Sequence, residues 1–533
     1  MFLKSNHIYS GHLEKLVNSG LKKTCGLAEK AVEDFLSEWL KNNEEFKGHV
    51  FSVGGYPRDK LWGIDSDDLD LIVDISGGEG ARKLTQVLFN EFGNNKLSHP
   101  IQQRNYPIWK MSFKDNIEYK GKIYNTKGAD IDFADPQKES FPDESSRQRV
   151  TTPGTLEEDA LRRDLTINTL MQDLTSQEFV DLTGYAKDDI LDGTVRINPK
   201  VDWNKILSED PLRMLRAIRF FSVKPQLKRF DKAMLDAIKR NASQIEKVSS
   251  ERIMEELKKT MKAGKLNDTM SMMQITGLLQ YIFPELQSLI DTQHDMGYTH
   301  QEGSIWAHTL LVLKNAPPTI EGQLAALLHD VGKPQTKKEI DGKFHFYGHD
   351  KASGELTEAI LRRMKMDGDT IEKVRKLVDT HMRAPNSLYD KDLSTKQATK
   401  VLRRYIRDMG DLLEEALALA EADHLGTFPV GPNPIPGIRD RIKQLQEETP
   451  VVQKKPVLDG FRIMNILGID PKKDKNRLPE VGRVTKFILD LMDGDPTITK
   501  EEVTSKVIAA KDSFKENINL SNNKFRDNLM KLT

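Results

Sequence analysis

Cysteine is almost absent from this chain: Cys25 stands alone among 533 residues. A single thiol excludes an intrachain disulfide and a cysteine-built zinc cluster, and it suits a reducing, cytoplasmic setting. Long apolar runs are missing too. No stretch approaches the roughly 18 consecutive apolar residues that a membrane-spanning helix needs, so no membrane partner is expected. The opening residues, Met1 to His7, lack the apolar centre of a signal peptide. Net charge is small, −1 at pH 7 from 80 Lys and Arg against 81 Asp and Glu. That balance hides a local excess, because residues 211–265 hold 15 Lys and Arg but 6 Asp and Glu. Such a stretch can neutralise a nucleic-acid backbone or can be a solvated helical face, and composition weighs the two evenly.

What is present begins with size. A chain of 533 residues with 38% hydrophobic and 30% charged residues is globular and too long for one core, so several units are expected. Residues 1–45 read as helical, with Leu13, Leu16, Leu21 and Leu27 ahead of an amphipathic run. Val50–Val53 and Leu69–Val73 are apolar and β-branched. Ile108–Phe113, the Tyr119–Tyr124 region and Ala129–Ala134 read as further strands of one sheet, with Gly121 and Lys122 as a hairpin turn. From about Leu156 the pattern turns helical and stays so. The fold class is therefore α+β in front and all-α behind. A break at Phe428–Gly437, with four prolines and two glycines, reads as a stiff connector to a helical tail.

The most informative stretch runs from Gly54 to Asp70. It joins the glycine turn Gly54-Gly55, the pair Arg58-Asp59, and two carboxylates at alternate positions, Asp68 and Asp70. Carboxylates one residue apart on a strand share a face. Placed beside a backbone loop that a phosphate can approach, they match a two-metal phosphoryl-transfer site, for which Mg²⁺ with its preference for oxygen ligands is the natural ion. A third carboxylate from a neighbouring strand is expected, and Asp130 and Asp132 are the candidates. Gly54 and Gly55 would offer backbone N–H groups to a triphosphate, and Arg58 would add a cation. Asp65 and Asp67 read as an ordinary acidic turn.

Two further groups follow. Arg162, Arg163 and Asp164 open a segment with Leu161, Leu165, Leu170 and Met171 as buried positions. With Asn168 they can contact the sugar and phosphates of a nucleotide, although taken alone the stretch reads as an ordinary helix with surface charges. Then Ser208 reads as an N-cap and Pro211 as a first-turn proline. Leu212, Leu215 and Ile218 form one ridge of that helix, and Asp210, Arg213, Arg216 and Arg219 form another. An Asp and an Arg held on one face can read the hydrogen-bonding edge of a base, or they can be a salt-bridge ladder, the latter better suited to Arg219.

The ordered set Gly54-Gly55, Arg58-Asp59, Asp68 and Asp70, then Arg162-Arg163-Asp164 with Asn168, then Asp210 and Arg213, then Glu251-Arg252 resembles class II tRNA nucleotidyltransferases. These are the CCA-adding enzymes, with the similar bacterial poly(A) polymerases. The resemblance covers residues 48 to 260 or so. It implies a polymerase-β-like head with a small mixed sheet at 46–198, behind a helical extension at 1–45, and a helical neck with a nucleotide-selecting helix at 199–290. It implies that Asp68 and Asp70 hold Mg²⁺, that Asp210 and Arg213 select the base, and that Arg162, Arg163 and Asp164 line the nucleotide pocket, with tRNA, CTP and ATP as partners. One departure stands out: the arginine expected soon after Asp132 is Gln137 here.

A second chemistry lies in residues 300–425. His308 sits on an apolar helix, His329-Asp330 ends another, and His349, His381 and Asp423 follow. Imidazoles and carboxylates from separate helices can converge on a divalent transition metal. The set His308, His329-Asp330 and Asp423, with Gly332-Lys333, resembles the HD phosphohydrolase superfamily, and His349 and His381 resemble extra ligands of some members. That implies an HD bundle at 291–430 able to hydrolyse phosphomonoesters or 2′,3′-cyclic phosphates, or one that only supports tRNA. The tail, 438–533, resembles a segment that contacts the tRNA elbow. The motifs do not separate CCA from CC, A or poly(A) addition. A reading of another class remains open: an HD phosphohydrolase whose head only binds RNA.

Overall fold

The structure, a computed structural model, describes residues 26–75, 77–103, 107–140, 150–292, 304–341, 343–383, 388, 391–427, 430–448, 456–495, 498–511 and 514. Residues 1–25 of the expected helical extension lie outside these. Contacts group the chain into two units. One runs to Glu256 and takes in Met272–Tyr281, and the other comprises Leu257–Ser271 and everything from Ile282. The expected neck, 199–290, is thus divided between them.

The first unit is built on strands β1 Val50–Val53, β2 Asp70–Val73, β3 Ile101–Gln102, β4 Ile108–Ser112, β7 Asp130–Ala134, β10 Met171–Asp173 and β11 Phe179–Val180. They form one seven-stranded sheet in the order β11-β10-β1-β2-β7-β4-β3. β2 and β7 are parallel, and their neighbours pair antiparallel, so the sheet is mixed. Strand periodicity sorts its two faces. Val50, Leu71, Val73, Ile131 and Phe133 enter one core with the helices Leu27–Leu40 and Gly80–Phe92. Phe51, Val53, Ile72 and Met171 enter a smaller one with Ala160. The larger core centres on Phe35, fully buried, whose ring meets Phe92, Phe113, Tyr119 and Tyr124 edge-on at 5.2–6.4 Å.

Several expectations change. The Tyr119–Tyr124 region does not join the sheet. It forms a separate hairpin of β5 Ile117–Tyr119 and β6 Lys122–Tyr124, and β8 Gln137–Ser140 pairs with β9 Val150–Pro153 in another two-stranded sheet. Its turn is Lys120-Gly121, both at positive φ (52° and 75°), one residue earlier than expected. The helical pattern after Leu156 is interrupted, because β10 and β11 return to the sheet beside β1. Arg162, Arg163 and Asp164 close a helix rather than open one. That helix, Leu156–Arg162, starts with a capping box between Thr155 and Glu158 and ends as Arg163 turns extended. Leu165, Leu170 and Met171 are nonetheless buried as expected. Ser208 lies inside the helix Trp203–Glu209, capped by Asp202. The next helix, Leu212–Val223, begins at Pro211, so Asp210 sits at the junction and only the three arginines lie on the helix.

Among its described residues the second unit is helical apart from a small hairpin, Lys338–Ile340 with Lys343–His345. Its sites depend on Ile305–Asn315, Ile320–Leu328, His349–Arg363, Gly368–Thr380 and Leu413–Gly426. Side chains of Ser304, Thr319 and Asp367 cap three of these at their N-termini. Gly426 lets two of them meet, since a Cβ there would lie 2.6 Å from Val312 Cγ2. The proline-rich break is shorter than expected, because Ile435–Glu448 is already helix. A separate cluster with Ile463, Val484, Ile488 and Val507 at its centre forms the core of the tail. No described helix is long and apolar enough to cross a membrane.

Candidate functional site

One row across the sheet carries the first site. Val53 pairs with Asp70, Asp70 with Asp132, and Asp132 with Lys110. Gly54 follows Val53 directly. Its backbone, φ 74° and ψ −123°, is open to glycine alone. A side chain there would approach Arg163 Nη1 and Asp70 Oδ2. The turn therefore lies against the carboxylates, as the motif requires. Asp68 precedes β2 by two residues. Asp132 takes Lys110 Nζ at 3.1 Å and accepts from Gln103 Nε2 at 3.3 Å. Asp130, at the exposed outer end of β7 opposite Ser112, is the lesser of the two candidates.

These carboxylates are short of positive charge. Burial pushes Asp70 up to about 7, the charges of Asp68 and Asp132 add to the rise, and Arg163 and Lys110 oppose it. Asp68 is exposed by area, but its carboxyl stands in a crowded hollow. It too is raised, by lost hydration first and then by Asp67 and Asp132. Like charges gathered in a half-buried hollow are the environment that an oxygen-ligated divalent cation relieves, so the donor set fits Mg²⁺.

Asp159, which motif reading missed, organises the arginines. It is fully buried. Its Oδ1 accepts from Arg162 Nε and Nη2 at 2.8 and 2.6 Å, and its Oδ2 from Arg163 Nε and Nη2 at 3.1 and 2.9 Å. Its spacing, three and four residues ahead of two arginines on a helix, was the available signal. Asp164 accepts from Arg216 Nε at 2.7 Å and Asn168 Nδ2 at 3.0 Å. Burial would raise its carboxyl, but the Arg216 charge and these hydrogen bonds hold it below the usual range. Glu256, also missed, takes Arg219 Nε at 2.6 Å and stands 4.0 Å from Arg216.

Arg58 departs from expectation. It is 4% exposed, donates to Asp59 Oδ1 at 2.7–2.8 Å and to Asn168 Oδ1 at 2.6 Å, and lies over the rings of Trp62 and Phe220. Here it braces the glycine turn against the Asn168 segment and the helix Leu212–Val223 instead of projecting a free cation. Arg163, beside Gly54 and Asp70, is the guanidinium at the turn. Asp210 and Arg213 are brought together at 3.9 Å, both largely buried. Arg252 Nη2 lies 3.3 Å from Asp210, and Arg213 Nη2 donates to the Arg162 carbonyl at 3.0 Å. The expected pair is thus tied to the arginine motif.

The second site gathers all six expected residues at the ends or inward faces of five helices. Two groups have their ligand atoms within 4.8 Å of one another: His308, His329 and Asp423, and Asp330, His349 and His381. Nδ1 of His329, His349 and His381 each meets a backbone carbonyl three residues back, at 2.9, 2.8 and 2.7 Å, and that of His308 meets Gly426 at 3.3 Å. A carbonyl only accepts, so each Nδ1 carries a proton and each Nε2 is the nitrogen left facing the site. Those Nε2 atoms converge, with His308 and His329 Nε2 3.3 Å apart and His349 and His381 Nε2 also 3.3 Å apart. Asp330 faces both groups, Oδ2 lying 3.2 Å from His329 and Oδ1 3.4 Å from His349, while Lys333 Nζ sits 2.6 Å from Oδ2. Burial lowers His381 to about 4 and lowers His349 as well. His329 is raised instead, because the Asp330 and Asp423 charges outweigh its burial. Pre-aimed imidazoles with two carboxylates fit a divalent transition metal, and two groups leave room for two ions.

Comparison with known proteins returns three family matches. The Poly A polymerase head domain matches residues 50–196, the probable RNA and SrmB-binding site of polymerase A matches 229–290, and the HD domain matches 317–427. The CC-adding tRNA nucleotidyltransferase of Thermus thermophilus is 30% identical over 369 residues, 66% of this chain and 76% of that one. A Multifunctional CCA protein of Cupriavidus metallidurans is 26% identical over 339 residues, 61% of this chain and 72% of its own length. Among solved structures, the Bacillus stearothermophilus CCA-adding enzyme in complex with CTP superposes with a TM-score of 0.55 at 17% identity, over 92% of this chain and 99% of that one.

Proposed function

The chain belongs to the tRNA nucleotidyltransferases, and we propose that its head adds CMP, CMP and AMP to the 3′ end of tRNA from CTP and ATP, releasing pyrophosphate. The observation that carries this reading is the row Val53–Asp70–Asp132, with the Gly54 turn against Asp70. Asp68, Asp70 and Asp132 would hold Mg²⁺, which when bound supplies the positive charge that attacking hydroxyl and leaving pyrophosphate both need. Gly54 and Gly55 leave the backbone open to the triphosphate, and Arg163 adds a guanidinium there. Asp210 and Arg213 offer an acceptor and donors to the base edge, so side chains replace a template strand. Asp159, Asp164, Asn168 and Arg216 hold these groups in register. Exposed Lys232, Lys239, Arg240 and Lys247 in the basic stretch suit tRNA backbone contact. A cytoplasmic setting is part of the same reading.

The HD unit is proposed to be a metal-dependent phosphohydrolase acting on phosphomonoesters or 2′,3′-cyclic phosphates, with His308, His329, Asp423, Asp330, His349 and His381 as ligands. Lys333 would balance the charge of Asp330.

A tRNA lacking its 3′ end, given CTP and ATP separately and together, tests the head. Extension by two nucleotides with CTP and by three with both is expected. Because the Thermus relative is named as CC-adding, arrest after two nucleotides with both substrates is the competing outcome. A long adenylate tail would mark a poly(A) polymerase, and no extension would overturn the head reading.

A further inference from the structure

The helix Leu27–Leu40 lies ahead of the matched head domain, which begins at residue 50. It is nevertheless part of the head's main core through Val32, Phe35, Leu36, Trp39 and Leu40. Among these apolar residues the same helix buries a carboxylate, Glu33, at 2% exposure. A carboxylate is costly to bury unless its oxygens are answered. Both of them are. Tyr56 Oη donates to Oε2 at 2.9 Å, and Lys60 Nζ donates to Oε1 at 2.6 Å.

Tyr56 and Lys60 both belong to the helix Gly55–Leu61 that follows the Gly54 turn. Seven residues make under two turns, too short to hold a helix without outside contacts. On one side Arg58 donates to Asn168 Oδ1 at 2.6 Å, and Asp59 accepts from Lys224 Nζ at 3.2 Å. On the other, Glu33 provides its two contacts, and Lys60 continues to Gln172 Oε1 of β10 at 3.0 Å. Burial and the nearby Glu33 charge raise the Tyr56 phenol above its ordinary range, so it remains the donor.

We infer that Glu33 is a positioning residue for nucleotide addition: through Tyr56 and Lys60 it holds the Gly54-Gly55 turn in the form that receives the triphosphate. The inference rests on reading the head as a nucleoside-triphosphate site. Its effect must fall on what CTP and ATP share, and not on the base or on tRNA.

Steady-state kinetics of the full chain with trimmed tRNA provides the test. Glu33→Gln keeps the shape and one acceptor but removes the charge facing Lys60. It is expected to raise KM for CTP and for ATP by the same factor, about tenfold, with KM for tRNA unchanged. Tyr56→Phe, which removes one hydroxyl, should shift both nucleotide KM values in the same direction by about threefold, and it carries the test if Glu33→Gln does not fold. Unchanged nucleotide KM values in a variant with wild-type circular dichroism overturn the inference, as does a rise confined to one nucleotide. A wild type that saturates beside unaffected variants overturns the inference alone. A wild type never saturated by CTP or ATP overturns the nucleotide reading and the inference together.

Discussion

The two sites solve the problem of holding charge in opposite ways. The head lines up like-charged carboxylates on adjacent strands, with Asp70 raised to about 7 by burial and its acidic neighbours. The HD unit aims four imidazole Nε2 atoms inward from four helices and fixes each ring through its other nitrogen on a carbonyl. The head is left short of cations, and Mg²⁺ arriving with a triphosphate is suited to fill that deficit. The HD unit offers nitrogen and oxygen donors that suit a divalent metal.

The contrast can be broken most sharply by exchanging losses. Asp70→Ala should lower nucleotide addition by about 10³-fold or more while leaving HD-dependent hydrolysis and its bound metal intact. His329→Ala should do the reverse, removing metal measured by elemental analysis and leaving CMP incorporation at the wild-type rate. If either substitution abolishes both activities, the sites are not independent.

Smaller effects sharpen the picture of what supports the head. Phe35→Ala empties the centre of the aromatic cluster and should cost about 3–5 kcal/mol in chemical denaturation, although Phe35 touches no substrate. Asp159→Asn removes one charge from a buried fork that serves two arginines. It should destabilise the head by about 2–4 kcal/mol and lower nucleotide addition with it. Asp164 supplies the smallest effect, and that effect depends on pH. Its folded pKa is depressed, so its contribution is whole above the unfolded value near pH 4 and is lost as pH falls through the folded one. Asp164→Asn should therefore lose less stability than wild type between about pH 5 and pH 3.

Much of this was legible in the sequence because the chemistry is local there. The Gly54–Asp70 stretch encodes a turn and a carboxylate pair by spacing alone, and the six residues read as candidate HD ligands lie together in two groups. Two kinds of feature escaped. Short strands such as β10 and β11 carry too few residues for periodicity to register, so Met171 read as helix although tertiary pairing with β1 places it in the sheet. Side chains whose role is to hold another side chain have no motif of their own. Asp159 and Glu256 resemble any helical acid until their arginines are seen to converge on them. Arg58 shows the converse: a motif arginine invites a direct phosphate role, yet burial between Trp62 and Phe220 makes it a brace.

The central claim is that paired carboxylates hold cations next to a protein surrogate for a complementary base. A crystal structure with CTP and Mg²⁺ tests it most directly. The account predicts a cation between the triphosphate and Asp68 and Asp70, with the cytosine edge hydrogen-bonded to Asp210 and Arg213. A cytosine bound away from that pair, or a triphosphate with no cation at those carboxylates, would contradict it.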